Sequence, residues 1–208
     1  MATPAAFWDN VAPKYAKSPI SDVPAYEHTL SRVAAHLSKT DHVLEVGCGT
    51  GTTALHLADG VHQITGTDIS GKMVEIARSK ADDQMIMNAE FVAAGLQDLD
   101  LAPGTFDAVL AFNLFHLIPD LEADLALVAQ KVRPGGLLIS KTPCLGGRYR
   151  ILMPMVGTMR LFGKAPYVRF LRTQEMAQHI RDAGFDILET GNFPKAPPAH
   201  FIVARKRA

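Results

Sequence analysis

The sequence predicts an α/β fold in which helices cover both faces of a mostly parallel β-sheet. Short apolar runs alternate with segments of helical period, and parallel strands need such crossover connections. The strand-like runs lie at 43–46, 63–67, 91–94, 106–112 and 137–140. Because ligands of open parallel sheets bind at the carboxyl ends of the strands, functional residues are expected there.

The remaining segments give the expected domain organisation. Apolar residues share one helical face from Tyr26 to Leu37, a helix follows Ser70 as N-cap, and Pro134-Gly135-Gly136 is expected to close the helix that begins after Asp120. We expect one domain over 1–208. Its parts are a helical lid (1–38), a core (39–142), a cap (143–172) and a C-terminal helix with strands (173–208).

Composition and charge exclude several classes of protein. Lysine plus arginine and aspartate plus glutamate are 21 each, so no overall positive charge indicates a nucleic-acid partner. The two cysteines are too few for a disulfide framework and match no zinc-ligand spacing, and the histidines form no recognisable metal cluster. No basic leader with an apolar run opens the chain, and no stretch could span a bilayer. We therefore expect a cytoplasmic protein without a metal site.

A glycine-rich turn follows the first predicted strand. Residues 45–51 read Glu-Val-Gly-Cys-Gly-Thr-Gly. A dinucleotide fingerprint needs a further glycine at position 52, where this chain has Thr52, so a nicotinamide cofactor is disfavoured. Glycines at 47, 49 and 51 instead give a bend free of side chains, against which a nucleoside and an amino-acid tail could lie.

An acidic residue ends the second predicted strand. Asp68 lies 21 residues beyond Gly47, where a carboxylate can accept hydrogen bonds from both ribose hydroxyls. The same charge would repel a 2′-phosphate, so an unphosphorylated ribose is expected.

These segments resemble the class I S-adenosylmethionine-dependent methyltransferases. Residues 45–51 look like the first motif of that family, and Asp68 and Ile69, with Met73 and Ala77, look like the second. The likeness extends through 104–109, 112–117, 133–136 and 183–185, and residues 7–15 resemble the family's N-terminal lead-in. It implies a Rossmann-like, three-layer fold with a seven-stranded sheet whose last strand, near His200 to Ala204, is antiparallel. It also implies S-adenosylmethionine as the cofactor.

The resemblance also assigns residues to the cofactor. The three glycines would line its methionine and ribose portions, Asp68 would hold the ribose hydroxyls, Ile69 would cover one adenine face, and Tyr15 would close over the site. Gly95 stands where the family often has an acid near the adenine amino group, which leaves that contact to the Leu96 amide and to Gln97 or Asp98. The full expected set is Tyr15, Glu45, Gly47, Cys48, Gly49, Gly51, Asp68, Ile69, Met73, Leu96, Gln97 and Asn113.

His116 is the candidate catalytic residue. It follows the carboxyl end of the fourth strand, and a histidine can remove a proton near neutrality if the acceptor must lose one. The alternative is a histidine that packs beneath the lid or fixes its loop. The Leu-Phe-His that follows Asn113 does not match the Pro-Pro-aromatic pattern of amine-methylating relatives.

The segment after the fifth strand is basic and apolar. Between Lys141 and Gln174 it has seven cations and no acid: Lys141, Arg148, Arg150, Arg160, Lys164, Arg169 and Arg172. We expect it to form an acceptor-binding cap for a lipophilic or anionic small molecule, with transient contact of 143–172 with an anionic membrane as an extension. A plain lid with solvated arginines is the simpler alternative.

Three other functions stay open at this point. The basic segment could contact RNA, so an RNA methyltransferase is an alternative, and the fold could bind S-adenosylmethionine as a regulatory module without turnover. A nicotinamide-dependent oxidoreductase is the distant alternative. The sequence leaves the methylated atom and the choice between monomer and homodimer undecided.

Overall fold

The computed structural model describes residues 3–99 and 102–208, and within them it shows a seven-stranded sheet with helices on both faces. The order across the sheet is β3-β2-β1-β4-β5-β7-β6. β7 is antiparallel to both of its neighbours, while the other pairs are parallel. The strands are β1 (His42–Val46), β2 (Gln63–Asp68), β3 (Ala89–Ala93), β4 (Phe106–Phe112), β5 (Val132–Pro143), β6 (Phe185–Lys195) and β7 (Pro198–Lys206). The predicted fold class is confirmed, including its antiparallel last strand.

The seven α-helices of the described residues include those predicted near 26–37, after Ser70 and after Asp120. They are α1 (Pro4–Lys17), α2 (Val23–Ala34), α3 (Thr52–Leu57), α4 (Gly71–Asp83), α5 (Leu121–Lys131), α6 (Met153–Leu161) and α7 (Thr173–Asp182). The Ser70 side chain caps α4 by accepting the Met73 N–H, and Asp22 caps α2 by accepting the Ala25 N–H. None of the described helices is both long and apolar enough to cross a bilayer.

Pro134-Gly135-Gly136 has a different place from the one predicted. The three residues were expected to lie between the helix and the fifth strand, but they lie inside β5, because Val132 already pairs with Phe106. The register shifts between Phe106 and Ala108, and Gly135 has a φ of 74°. The glycine therefore accommodates an irregular start of the strand, which local sequence presents as a turn.

Two apolar clusters fill the two sides of the sheet. Leu44 and Val46 of β1 belong to the cluster beneath α5 and α7, whereas Val43 belongs to the one beneath α2, α3 and α4. Because side chains alternate along a strand, neighbouring residues serve opposite faces. The division into lid, core, cap and C-terminal part stays a prediction.

Side chains of α2 form an ion pair and a hydrogen bond with β6, and these hold the helix against one face of the sheet. The Arg32 guanidinium donates to both Glu189 carboxylate oxygens of β6, at 2.7 and 2.6 Å, and His36 Nε2 lies 2.8 Å from the same carboxylate. These bonds lower the pKa of Glu189 to about 2. Helix α2 thereby extends from the β6 edge toward the carboxyl end of β1.

Candidate functional site

The glycine turn after β1 needs left-handed backbone at three positions. Gly47, Gly49 and Gly51 have φ values of 66°, 53° and 73°, which side chains rarely tolerate. A Cβ on Gly51 would lie 2.8 Å from Ala77 Cβ and from the Phe91 ring, and one on Gly47 would lie 2.7 Å from Leu114 Cδ1. Close packing behind the turn therefore requires glycine at position 51, whereas the end of the Leu114 side chain could move away from a Cβ at position 47.

Gly49 differs from its neighbours because its open side faces free space. A Cβ built on it would meet only Tyr15 Cε1, at 3.9 Å. Tyr15 belongs to α1, is 52% exposed and lies over the turn. Burial, followed by the charges of Asp68 and Glu45, raises the pKa of its hydroxyl. The bare backbone and the aromatic ring thus border one open position.

Asp68 at the end of β2 faces the same turn. Its Oδ2 accepts the Gly49 N–H at 2.9 Å, and its Oδ1 accepts the Ser70 N–H at 2.9 Å. Burial raises the pKa of this carboxyl, and the two N–H bonds oppose that rise. Each carboxylate oxygen keeps acceptor capacity beyond these bonds, so a diol could still be bound.

Glu45 is buried beneath the turn. It is 2% exposed, and its Oε2 has no hydrogen-bond partner among the described residues. Burial is the main cause that raises the pKa of Glu45 to about 8, and the charge of Asp68 adds to it. A buried polar atom without a partner is costly, which indicates that a ligand or a water completes this site.

Two side chains that sequence reasoning did not single out help to form the site. Asp9 of α1 accepts the Ser70 hydroxyl at 2.7 Å and the Lys72 N–H at 3.1 Å, so α1 is held against the start of α4. The Tyr26 hydroxyl lies 3.4 Å from Thr53 Oγ1, and Glu45 is among the charges that raise the pKa of Tyr26. Both contacts join residues far apart in sequence, so no local pattern predicts them.

The segment after β3 lies beside Ile69. A Cβ on Gly95 would lie 3.1 Å from Asp98 Oδ2 and 3.6 Å from Ile69 Cγ2, so these three residues are neighbours. Ile69 is 44% exposed although it is apolar, as expected of a residue that covers a flat ring. The Gln97 side chain lies near the Asp124 carboxylate and opposes the rise of its pKa that burial causes. Which of the two side chains considered for adenine contacts it stays a prediction.

Leu96, Cys48 and Met73 are placed to shape the site through packing. Leu96 packs against the apolar cluster beneath α5 and α7. Cys48 is 8% exposed and Met73 only 2% exposed. Burial raises the pKa of the Cys48 thiol well above its usual value. Their direct contact with a cofactor stays a prediction.

The loop after β4 contains the other predicted residues. Asn113 has an exposed side chain and a φ of 53°, and its N–H donates to the Lys141 carbonyl at 2.8 Å. His116 lies in a short 3₁₀ turn, Phe115–Leu117. Its Nδ1 is buried and has no partner within the part of the chain that the structure describes. Burial lowers the pKa of His116 to about 4, so the ring is neutral at physiological pH.

These residues fit the predicted cofactor. The turn offers backbone without side chains, Asp68 offers acceptors for a diol, Ile69 offers an apolar face, and Glu45 has an unfilled polar atom. No group of three or more histidine, cysteine or acidic side chains among the described residues could hold a metal ion.

Comparison with known proteins supports the same interpretation. A family model described as a methyltransferase domain matches residues 43–136. The chain is 27% identical to a ubiquinone biosynthesis O-methyltransferase of Coxiella burnetii (strain RSA 331 / Henzerling II) over 157 residues, which cover 73% of this chain and 66% of that protein. It is 32% identical to the O-methyltransferase cnsE of Penicillium expansum over 158 residues, which cover 72% of this chain and 53% of that one. The match thus spans just under two thirds of the Coxiella protein.

A solved structure shares the fold. An S-adenosylmethionine-dependent methyltransferase from Mesorhizobium loti aligns with a TM-score of 0.70 and 18% identity, covering 88% of this chain and 98% of that one. The family match includes the glycine turn and Asp68, and the sheet order agrees with the resemblance that the motifs indicate. Residues 43–136 of this chain therefore form a methyltransferase domain of the class I S-adenosylmethionine-dependent type.

Proposed function

We propose that this protein transfers the methyl group of S-adenosylmethionine to an oxygen atom of a small, lipophilic acceptor. The observation that carries the proposal is the open face of Gly49 beside Asp68 and beneath Tyr15. The names of the Coxiella and Penicillium relatives, both O-methyltransferases, support oxygen as the methylated atom.

In methyl transfer, the main roles of the protein are to align the two reactants and to exclude water. When bound, S-adenosylmethionine supplies an electrophilic methyl group on a sulfonium whose charge is lost on transfer, so a dry, aligned site favours the reaction. Tyr15 of α1 lies beside the open face of Gly49, and Tyr26 of α2 lies beside Thr53 near the start of α3, so both rings would help to exclude water from the reacting atoms. Asp68 and the glycine backbone would fix the cofactor.

A product screen tests the proposed reaction. Methyl-labelled S-adenosylmethionine would be incubated with the protein and with phenols, quinol-like lipids, fatty acids and amines. We expect labelled O-methyl product from a phenol or quinol. Label found only on amines would contradict the choice of oxygen, and label recovered only in RNA would favour the nucleic-acid alternative.

We propose that His116 accepts the hydrogen bond of the acceptor hydroxyl and takes its proton during transfer. Its Nδ1 is buried and has no hydrogen-bond partner in the ranges 3–99 and 102–208, and the residue follows the end of β4, next to the expected position of the methyl group. A pKa of about 4 makes it a weaker base than a value near neutrality would. Alignment of the acceptor oxygen is therefore the larger part of the proposed role.

We expect His116→Ala to lower kcat about 100-fold with the acceptor that the screen identifies, within the range known for such groups. Because the pKa of His116 is lowered from 6.5 to about 4, its neutral, active form persists as pH falls from 7.5 to 5.5. The pH profile of kcat/KM should then show no decline from this group in that range. His62→Ala, at the amino end of β2, is the control. Unchanged kcat in His116→Ala would remove the role.

We also propose that the cap docks on anionic membrane surfaces. Helix α6 has no buried residue among its nine, and Ile151, Leu161 and Phe162 beside or within it are 82%, 78% and 74% exposed. The cap has cations but no acid, and exposed apolar and cationic groups together bind anionic lipid. A lipophilic acceptor could then be taken from the membrane.

Vesicle flotation tests this docking. At low salt we expect the parent to float with phosphatidylglycerol vesicles and much less with phosphatidylcholine vesicles. Ile151→Ser/Phe162→Ser should lose most of the flotation, because it removes the two most protruding aliphatic and aromatic groups of the cap. Met85→Ser/Met87→Ser is a matched control, since these side chains are 83% and 91% exposed but lie outside the cap. A parent that stays with the unbound fraction would end the proposal.

We place the protein in the cytoplasm. Cys48 and Cys144 are unpaired, which agrees with a reducing compartment. A thiol titration of the protein from cells under non-reducing conditions would check this, since a mixed disulfide on either cysteine would argue for another compartment.

A further inference from the structure

Lys141 lies at the edge of the sheet where the acceptor is expected. It is the third residue from the end of β5, pairs with Phe112 of β4 and Phe201 of β7, and accepts the Asn113 N–H on its carbonyl. Its side chain is on the same face of the sheet as α2. The ammonium group is therefore near the carboxyl ends of β4 and β5, where ligands of parallel sheets bind.

The Lys141 ammonium is incompletely paired. It donates to Thr29 Oγ1 at 2.9 Å, and the Thr29 hydroxyl itself donates to the Ala25 carbonyl at 2.7 Å. No carboxylate in the described ranges 3–99 and 102–208 lies within 4 Å of it. The nearest charge that affects it is Asp22, which already caps α2. Of three N–H donors, two are thus left for another partner.

Lys80 shows that this chain can satisfy a partly buried lysine. Its ammonium donates to the Thr50 carbonyl, to Thr50 Oγ1 and to Thr52 Oγ1, at 3.0 to 3.1 Å. Burial lowers the pKa of both lysines, which means that both lose part of their hydration. Lys141 has one protein acceptor where Lys80 has three, so its partly buried ammonium has donors left for an anionic ligand.

The surroundings of Lys141 are aromatic. Phe112 and Phe201 are its partners on the two neighbouring strands, the Phe193 ring lies 6.2 Å from the Phe201 ring, and the His28 ring lies 4.3 Å from the Phe193 ring. Aromatic residues on the strands that flank Lys141 fit an aromatic acid better than an aliphatic one.

We propose that the Lys141 ammonium binds a carboxylate of the acceptor, so that the preferred acceptors are hydroxylated aromatic acids. This inference rests on the proposed methyltransferase function and names the substrate class of its acceptor site. Thr29 holds the ammonium in place, and the partly exposed side chains of Phe112 and Phe193 pack beside the ring of the acceptor.

A pair of probes that differ in charge tests the proposal. Binding of 4-hydroxybenzoate and of the neutral 4-hydroxybenzamide would be measured by calorimetry with S-adenosylhomocysteine present. We expect the acid to bind the parent at least about 10-fold more tightly than the amide, as a charge-assisted bond predicts. Lys141→Met should lower the affinity for the acid about 10- to 100-fold and leave that for the amide unchanged, and Lys141→Arg should restore most of the discrimination.

The control is Lys206→Met. Lys206 donates to the Val132 carbonyl at the opposite end of β5, so its loss should leave the discrimination intact. Equal binding of acid and amide to the parent, absence of binding by both, or an equal loss of both in Lys141→Met would overturn the proposal. Binding of S-adenosylhomocysteine is measured first, and its failure would refute the proposed function rather than this inference.

Discussion

Asp68→Ala is expected to raise the Kd for S-adenosylmethionine about 100-fold. The change removes a carboxylate whose charged hydrogen bonds to a ribose diol would each contribute about 1.5 to 3 kcal/mol. It also removes the acceptor for the Gly49 and Ser70 N–H groups, which loosens the turn. Isothermal titration calorimetry with S-adenosylmethionine and its demethylated product measures the effect.

Asp59→Ala provides the matched control for this experiment. Asp59 is an exposed acid in the 3₁₀ turn after α3, so its removal should leave the Kd unchanged. The Kd of Asp68→Asn for S-adenosylmethionine should lie between those of Asp59→Ala and Asp68→Ala. Asparagine keeps one side-chain oxygen but loses the charge. Equal affinity of the parent and Asp68→Ala would refute the role assigned to Asp68.

Gly51→Ala is expected to abolish measurable cofactor binding and to lower the free energy of unfolding by about 2 kcal/mol or more. The new Cβ would lie 2.8 Å from Ala77 Cβ and from the Phe91 ring, and the φ of 73° is itself strained for alanine. Both neighbours are buried and cannot easily move away. Urea denaturation measures the stability, and calorimetry measures the binding.

Gly60→Ala separates the effect of this position from a general effect of replacing glycine. A Cβ at Gly60 meets nothing within 4 Å, and its φ lies outside the left-handed region. The free energy of unfolding of Gly60→Ala should stay within about 0.5 kcal/mol of that of the parent, as for most surface changes. If Gly51→Ala had the same stability and the same cofactor affinity as Gly60→Ala, close packing behind the turn could not explain a need for glycine at position 51.

The fold and the cofactor turn could be predicted because their signals are local. Alternating apolar runs gave the strands of the parallel core, and the spacing of Gly47, Gly49, Gly51 and Asp68 placed a turn and an acid at adjacent strand ends. The preference for S-adenosylmethionine over a nicotinamide is confirmed by the family match. The irregular start of β5 was missed because Pro134-Gly135-Gly136 reads as a turn in isolation.

The rest of the candidate site could not be predicted because it depends on contacts between distant segments. Asp9 meets Ser70 across 61 residues, Tyr26 meets Thr53 across 27, and Lys141 meets Thr29 across 112. Gln97, considered for adenine, lies near Asp124 on α5. Each of these contacts depends on how a helix packs on the sheet. The spacing of residues along the chain does not predict such packing.

The central claim is that the cleft above β1 and β2 binds the adenosyl cofactor, and a crystal structure with S-adenosylhomocysteine tests it most directly. We expect the ribose hydroxyls within hydrogen-bond distance of the Asp68 carboxylate, the adenine ring against Ile69, and the amino-acid tail along Gly47 and Gly49. Density for the compound elsewhere on the molecule, with this cleft holding only water, would contradict the assignment of the site.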